Sequence, residues 1–266
     1  MQQPPATYLT VTLWSLGHYQ QAHQLAEDTL TRTRRILGDD HPQTLTLAYN
    51  LAAYLRDAGQ YEQARQLGED TLTRARRVHG DDHPETLRSA MVLAATLRDS
   101  GQYEQARQLG QHTFTRARRF LGDDNHYTLI LASQLAAALR QLGQYEQACQ
   151  LGEDALTRAR RVLGNDHPDT LRSATLLTTT LQQSGQYKQA RHLGQDTLTR
   201  ARRVLGIDHP DTVRSAMVLA VTLRELGQYE QARQLGQDTL TRARQVLGDD
   251  HPHTVRFADA MPLSPM

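Results

Sequence analysis

The stretch LGDDHPQTL at Leu37–Leu45 sets two carboxylates and an imidazole side by side, Asp39, Asp40 and His41. These residue types ligate divalent cations, and a metal-dependent enzyme is one reading of them. The stretch returns, however, as HGDDHPETL, LGNDHPDTL, LGIDHPDTV and LGDDHPHTV. A bound ion needs several ligands converging within about 2.0–2.6 Å. One Asp-Asp-His set per copy leaves the sets apart. Pro42 supplies a different account. Proline is favoured at the first position of a helix, where its missing N–H costs nothing. A side chain just before it can accept from the free N–H groups of the first turn, and acidic residues there suit the positive end of the helix dipole. The motif is therefore expected to start a helix and to hold no metal. One copy departs from it, with Asn125-His126-Tyr127.

Other chemistry is thinly represented. A phosphate-binding loop needs a lysine after a glycine, and the single lysine, Lys188, lies in GQYKQA. No Gly-x-Ser-x-Gly nucleophile elbow occurs. Cys149 stands where other copies have Arg65, Arg107, Arg191 and Arg233, on an expected polar helix face. It reads as a surface thiol and not as a nucleophile. His18, His23, His112 and His192 fall on outer positions and read as solvated. The expectation is a non-enzyme without cofactor. The formal net charge of +1 among 266 residues points to neither nucleic acid nor an anionic membrane. No stretch approaches the roughly 20 apolar residues of a spanning helix, and the N-terminus lacks a secretory pattern. A lone cysteine suits a reducing compartment, so a cytoplasmic location is expected.

The elements that position these residues repeat. Gly38, Gly80, Gly122, Gly164, Gly206 and Gly248 are spaced by 42 residues, as are Gly59, Gly101, Gly143, Gly185 and Gly227 of a Gly-Gln-Tyr marker whose first copy is Gly17-His18-Tyr19. Each copy reads as two helices. Leu45, Ala48, Leu51, Ala52 and Leu55 form one face of a first helix. Gly59 ends it, since glycine takes the left-handed cap conformation freely. Ala64, Leu67, Gly68, Thr71, Leu72, Ala75 and Val78 form the face of a second, closed by Gly80. Short turns between long helices make antiparallel hairpins.

With GQYEQA opening the second helix, a Leu-Ala pair in the first and the junction RxLGxDHPxT, the chain resembles a tetratricopeptide repeat protein of the 42-residue, kinesin-light-chain-like type. Similar arrays form the C-terminal part of actinobacterial signalling ATPases. The resemblance covers about residues 5 to 261. It implies an all-α, right-handed superhelical solenoid of antiparallel helix hairpins with the first helices lining the inner groove. The whole of 1–266 is expected to be one array: repeats at about 5–41, 42–83, 84–125, 126–167, 168–209, 210–251, a partial 252–261 and a 262–266 tail. Val255, Ala258 and Met261 are expected to join the core. The chain then stops inside a hairpin, which suits a piece of a longer array or an end covered by a partner or a second copy.

Two departures stand out. Gly68, Gly110, Gly152, Gly194 and Gly236 occupy mid-helix positions where the family often has a larger residue. Each costs about 0.5–1 kcal/mol against alanine, and close approach of the next repeat's helix is the expected compensation. Thr71, Thr113, Thr197 and Thr239 replace a small residue that Ala155 keeps.

Binding is the remaining class. The side of the first helices away from the core carries Tyr49, Asn50 and Arg56; Arg88, Met91, Val92 and Arg98; Gln134 and Arg140; Arg172 and Leu176; and Arg214, Met217, Val218 and Arg224. Apolar patches between arginines suit a peptide or protein ligand with apolar anchors and acidic flanks. Arg88, Arg172 and Arg214 can equally pair with Glu85, Asp169 and Asp211 on their own helices. This face varies between copies while the second helices are near copies. An interaction scaffold is favoured, with the sensor part of a signalling ATPase system as its finer form; a structural spacer or self-assembling array is the alternative.

Overall fold

The computed structural model of the chain describes residues 9, 10, 12, 13 and 19–261. From Tyr19 onward it runs as twelve α-helices: α1 (Tyr19–Leu37), α2 (Pro42–Asp57), α3 (Tyr61–His79), α4 (Pro84–Asp99), α5 (Tyr103–Leu121), α6 (His126–Gln141), α7 (Tyr145–Val162), α8 (Pro168–Gln183), α9 (Tyr187–Val204), α10 (Pro210–Glu225), α11 (Tyr229–Val246) and α12 (Pro252–Ala260). No strand occurs among the described residues. The chain divides into two compact units, residues 1–123 and 124–266. The expected first start near Pro5, the Gly17-His18 marker and the 262–266 tail lie outside the described residues.

In both units the first helix of a repeat begins as the junction chemistry dictates. The Nδ1 atoms of His41, His83, His167, His209 and His251 accept from the backbone N–H two residues on at 3.1–3.2 Å. In α6 the Asn125 Oδ1 does the same toward Tyr127 at 2.9 Å. The other five of these helices have proline at their start. An accepting Nδ1 places the imidazole proton on Nε2. The end of α2 shows why glycine follows. Gly59 has φ 79°, its N–H bonds the Arg56 carbonyl at 2.9 Å and the Gln60 N–H bonds the Leu55 carbonyl at 2.8 Å. This is the double hydrogen bond that closes a helix through a left-handed residue.

Each second helix buries a narrow stripe. In α3 it is Ala64, Gly68, Thr71, Leu72 and Ala75. The Thr71 hydroxyl donates to the Leu67 carbonyl at 2.6 Å, so its burial leaves no orphan donor. The first helices bury a wider arc. In α2 it includes Leu47, Tyr49 and Tyr54 beside the expected Leu45, Ala48, Leu51, Ala52 and Leu55. A first helix packs on second helices and also on neighbouring first helices, α2 on α4, α6 on α8 and α8 on α10. A single 3–4 stripe therefore underestimates its covered surface.

The mid-helix glycines meet the next repeat. A Cβ on Gly68 would lie 3.3 Å from Leu93 Cδ1; on Gly152, 3.2 Å from Leu177 Cδ1; on Gly194, 3.4 Å from Leu219 Cδ1 of the next repeat and 3.2 Å from Thr178 Cγ2 of its own. Two expectations need correction. Val78 is exposed, with Ile36 and Phe120 at the same place in the first unit and Val162 and Val204 in the second. The last turn of these second helices leaves the position open to solvent, whereas its counterpart in α11, Val246, is partly buried against the C-terminal cluster. In α12, Val255 is exposed, and Phe257 and Met261 are buried with Ala258 against them.

Candidate functional site

The second aspartate of the junction has a role beyond starting a helix. Asp40 accepts from Arg74 Nη1 at 3.1 Å and Arg77 Nη2 at 2.5 Å. Asp124 accepts from Arg158 at 3.3 Å and Arg161 at 2.7 Å, and Asp166 from Arg200 at 3.0 Å and Arg203 at 2.7 Å. Asp82 pairs with Arg116, and Asp208 with Arg242 at 2.5 Å. In every case the arginine 34 residues on comes from the second helix of the following repeat, joined for Asp40, Asp124 and Asp166 by the arginine 37 residues on. Hydrogen bonds from Arg77 and Arg74 hold the Asp40 carboxyl below the usual range, and those from Arg200 and Arg203 do so for Asp166. The first aspartate ties mainly to its own helix end: Arg34–Asp39 and Arg76–Asp81 are 3.1 Å apart, Arg118–Asp123 2.6 Å and Arg244–Asp249 3.2 Å, while Arg74 and Arg116 of the following repeats stand farther off, at 3.9 Å from Asp39 and 3.6 Å from Asp81. Asn165 and Ile207 stand at that place in two copies. An inter-repeat staple was missed from sequence, although the fixed Asp-to-Arg spacing carries it.

On the inner face the first unit separates the expected groove residues into two sets. Tyr49 and Val92 are buried at 4% and 6% exposure and pack with Ala52 between α2 and α4. They contribute to the core between these helices and not to the exposed face expected of them. The Arg88 guanidinium lies over the Tyr49 ring, 4.7 Å from its centroid, and Arg88 Nη1 is 3.1 Å from Glu85. Arg56 binds Asp57 at 2.6 Å and stands 3.8 Å from Asp99 of the next repeat. Arg98 binds Asp99 at 2.8 Å. Asn50 and Met91 stay partly exposed.

The second unit repeats the separation. Met217 is buried among Val213, Leu219 and Phe257, and Arg140 is buried, its Nη1 donating to Gln183 at 2.8 Å. Both are thereby removed from the groove surface, for the same reason as Tyr49: neighbouring first helices cover them. Gln134, Leu176 and Val218 remain partly exposed. Arg172 bridges Asp169 of its own helix at 3.2 Å and Asp211 of the next at 2.8 Å, and Arg214 stands 3.7 Å from Asp211. Arg224 pairs with Glu225 and donates to the Ala260 carbonyl. Burial pushes the Asp211 carboxyl upward, but the charges of Arg172 and Arg214 and the Arg172 hydrogen bond outweigh it and hold it well below the usual range. In each unit, then, this face carries arginines matched by carboxylates.

Cys149 also needs correction. It is 8% exposed and packs with Leu156, Ala174, Leu177, Leu181 and Ala190. An arginine at this place carries its charge outward on a long stem, whereas the short thiol stays beneath the neighbouring side chains. Burial pushes its pKa up, away from a reactive thiolate. His23 lies near Glu27 at 3.5 Å, and His112 and His192 are exposed.

Comparison with known proteins agrees with this construction. No curated protein sequence is a significant match to the chain. Among solved structures, the chain is similar to nearly identical TPR-like repeats of a protein assigned as a kinesin light chain from Podosopora anserina, with 25% identity over 77% of this chain and 97% of that one and a TM-score of 0.58. It is similar in fold to BtubC (BKLC) from P. vanneervenii, at 16% identity, 88% and 94% coverage and a TM-score of 0.62. A Rap protein complexed with Competence and Sporulation Factor matches at 12% identity, 96% and 72% coverage and a TM-score of 0.68. The family model described as tetratricopeptide repeat matches residues 7–75, 46–119, 90–156, 127–202 and 179–245. With paired helices, a 42-residue register and family matches running along most of its length, the chain belongs to the tetratricopeptide repeat family.

Proposed function

We propose that the chain is a protein-interaction scaffold that takes a peptide or partner segment along its first helices. The observation that carries this is the placement of Met91 in the first unit, and of Leu176 and Val218 in the second, on partly exposed first-helix positions beside arginine–carboxylate pairs. Apolar side chains there contribute little to the helix stack and offer burial at about 25 cal/mol per Å² to an incoming chain. The flanking charges are balanced, so they select by exchange: an acidic ligand group takes Arg172 from Asp169 or Asp211, and a basic one takes the carboxylate. One protein of similar fold, a Rap protein, occurs in complex with Competence and Sporulation Factor, which is compatible with a ligand on this type of array. A place as the sensor array of a signalling ATPase system fits the same reading. The lone cysteine supports a reducing, cytoplasmic setting; no helix among the described residues is long and apolar enough to cross a membrane.

The test is site-specific photo-crosslinking from Met91 and Leu176 in cells, with Gln150 and Lys188 on second helices as controls. Defined adducts from the first-helix positions alone, lost in Leu176→Glu, are expected. Adducts restricted to the second helices would refute the first-helix assignment, and adducts only to copies of the chain would favour the self-assembling array.

A further inference from the structure

The start of α6 is the one first-helix junction in which the cap is asparagine and the following residue is histidine instead of proline. Asn125 performs the capping, so His126 is released from it. Its ring turns toward the next repeat's junction. His126 Nε2 stands 2.5 Å from Asp169 Oδ2, and His167 Nδ1 stands 3.9 Å from the same oxygen. The two imidazoles meet edge to face with centroids 5.6 Å apart. One ligand atom from each of the three residues lies within 4.8 Å of the others, and all three side chains are partly open to solvent. Among the described residues this is the one such grouping of three.

We infer that His126, His167 and Asp169 form a site for a divalent transition metal, with Zn2+ as the fitting ion. Two imidazoles and one carboxylate are a zinc donor set, and solvent completes the coordination. Ligand atoms of a tetrahedral zinc at about 2.0–2.2 Å stand about 3.3 Å from one another. The 2.5 Å separation therefore opens and the 3.9 Å separation closes, both by small side-chain rotations. The carboxylate is already oriented: Arg172 Nη1 holds its other oxygen, Oδ1, at 3.2 Å. That guanidinium is itself matched by Asp211 at 2.8 Å, so its charge does not stand unopposed beside the ion. Outer contacts of this kind fix ligand orientation in metal sites. The site replaces the His126–Asp169 hydrogen bond and, where Nδ1 of His167 ligates, also the 3.2 Å bond it accepts from the Asp169 N–H. Bound metal would tie the starts of α6 and α8, two successive first helices of one unit. This departs, at one junction, from the expectation that the repeated motif holds no metal.

The experiment is Co2+ titration of the full chain without a polyhistidine tag, read by d–d absorption and followed by Zn2+ displacement. The sequence itself supplies conservative variants. His126→Pro restores the residue of the other first helices, and His167→Asn keeps a cap of the kind Asn125 makes. One saturable Co2+ per chain is expected, with its band abolished in His126→Pro and Asp169→Asn, weakened in His167→Asn and retained in His83→Asn. Circular dichroism checks folding, and His126→Gln repeats the test if the proline variant is misfolded. No saturable band, a band that survives loss of the His126 imidazole, or one lost equally in His83→Asn would each overturn the assignment.

Discussion

Replacing Gly152 by leucine tests whether the mid-helix glycines mark close packing. A Cβ there would stand 3.2 Å from Leu177 Cδ1 and 3.8 Å from Ala136 Cβ. Alanine regains about 1 kcal/mol of helix propensity, but Leu177 must give way by a few tenths of an ångström. The two effects oppose, and Gly152→Ala should gain well under the full propensity difference of about 1 kcal/mol. Leucine adds three more heavy atoms to filled space. Overpacking costs about 1–3 kcal/mol, and with so many atoms the upper part of that range applies, leaving a net loss of about 2 kcal/mol after the propensity gain. Gln150→Leu, on the exposed side of the same helix, adds leucine without meeting the next repeat. Because neighbours in an array unfold semi-independently, the assay pairs thermal melting with amide hydrogen exchange. Gly152→Leu should melt earlier and lose protection in α7 and α8. Equal melting of the two leucine variants, or full stabilisation by alanine, would refute the close-approach account.

Three further outcomes are expected. Asp211→Ala leaves Arg172 and Arg214 without their shared carboxylate; removing one partner of a fully buried pair costs about 3–5 kcal/mol, but both arginines retain solvent access, so urea titration should show about 1–2 kcal/mol, and a neutral result would show that the triad is ornamental. His209 has its pKa pushed below the ordinary value, first by burial and then by Arg172 and Arg214 acting against Asp211. Its contribution is full above the unfolded pKa of about 6.5 and is lost as pH falls below that value toward the folded one; melting temperature should fall less between pH 7 and pH 5 in His209→Asn, and parallel slopes would discount the histidine. Cys149 should react with Ellman's reagent far more slowly in the folded chain than in urea, and immediate native labelling would return it to the surface.

The sequence by itself determined the hairpins and their register. Helix starts at Asp-His-Pro and stops at Gly59 and Gly80 depend on local chemistry: an accepting side chain, a residue without a useful N–H, and a backbone free to take positive φ. The repeating interval then set the order of elements without knowledge of any contact. The glycine prediction also survived, because an unfavourable residue at a fixed helical position requires a neighbour. What only the tertiary structure decided was everything that depends on two repeats at once. Tyr49, Val92 and Met217 lie where a helical wheel places the outer face, yet flanking first helices cover them. Asp40 reads as a helix start from its own neighbours, and its partners Arg74 and Arg77 lie a whole hairpin away along the chain. Cys149 is enclosed because a short side chain cannot reach past its surroundings as an arginine can. His126 and Asp169 meet because stacking brings successive junctions within hydrogen-bonding reach. Local conformation is encoded in adjacent residues; the chemistry of a face comes from how the second neighbour packs on the first.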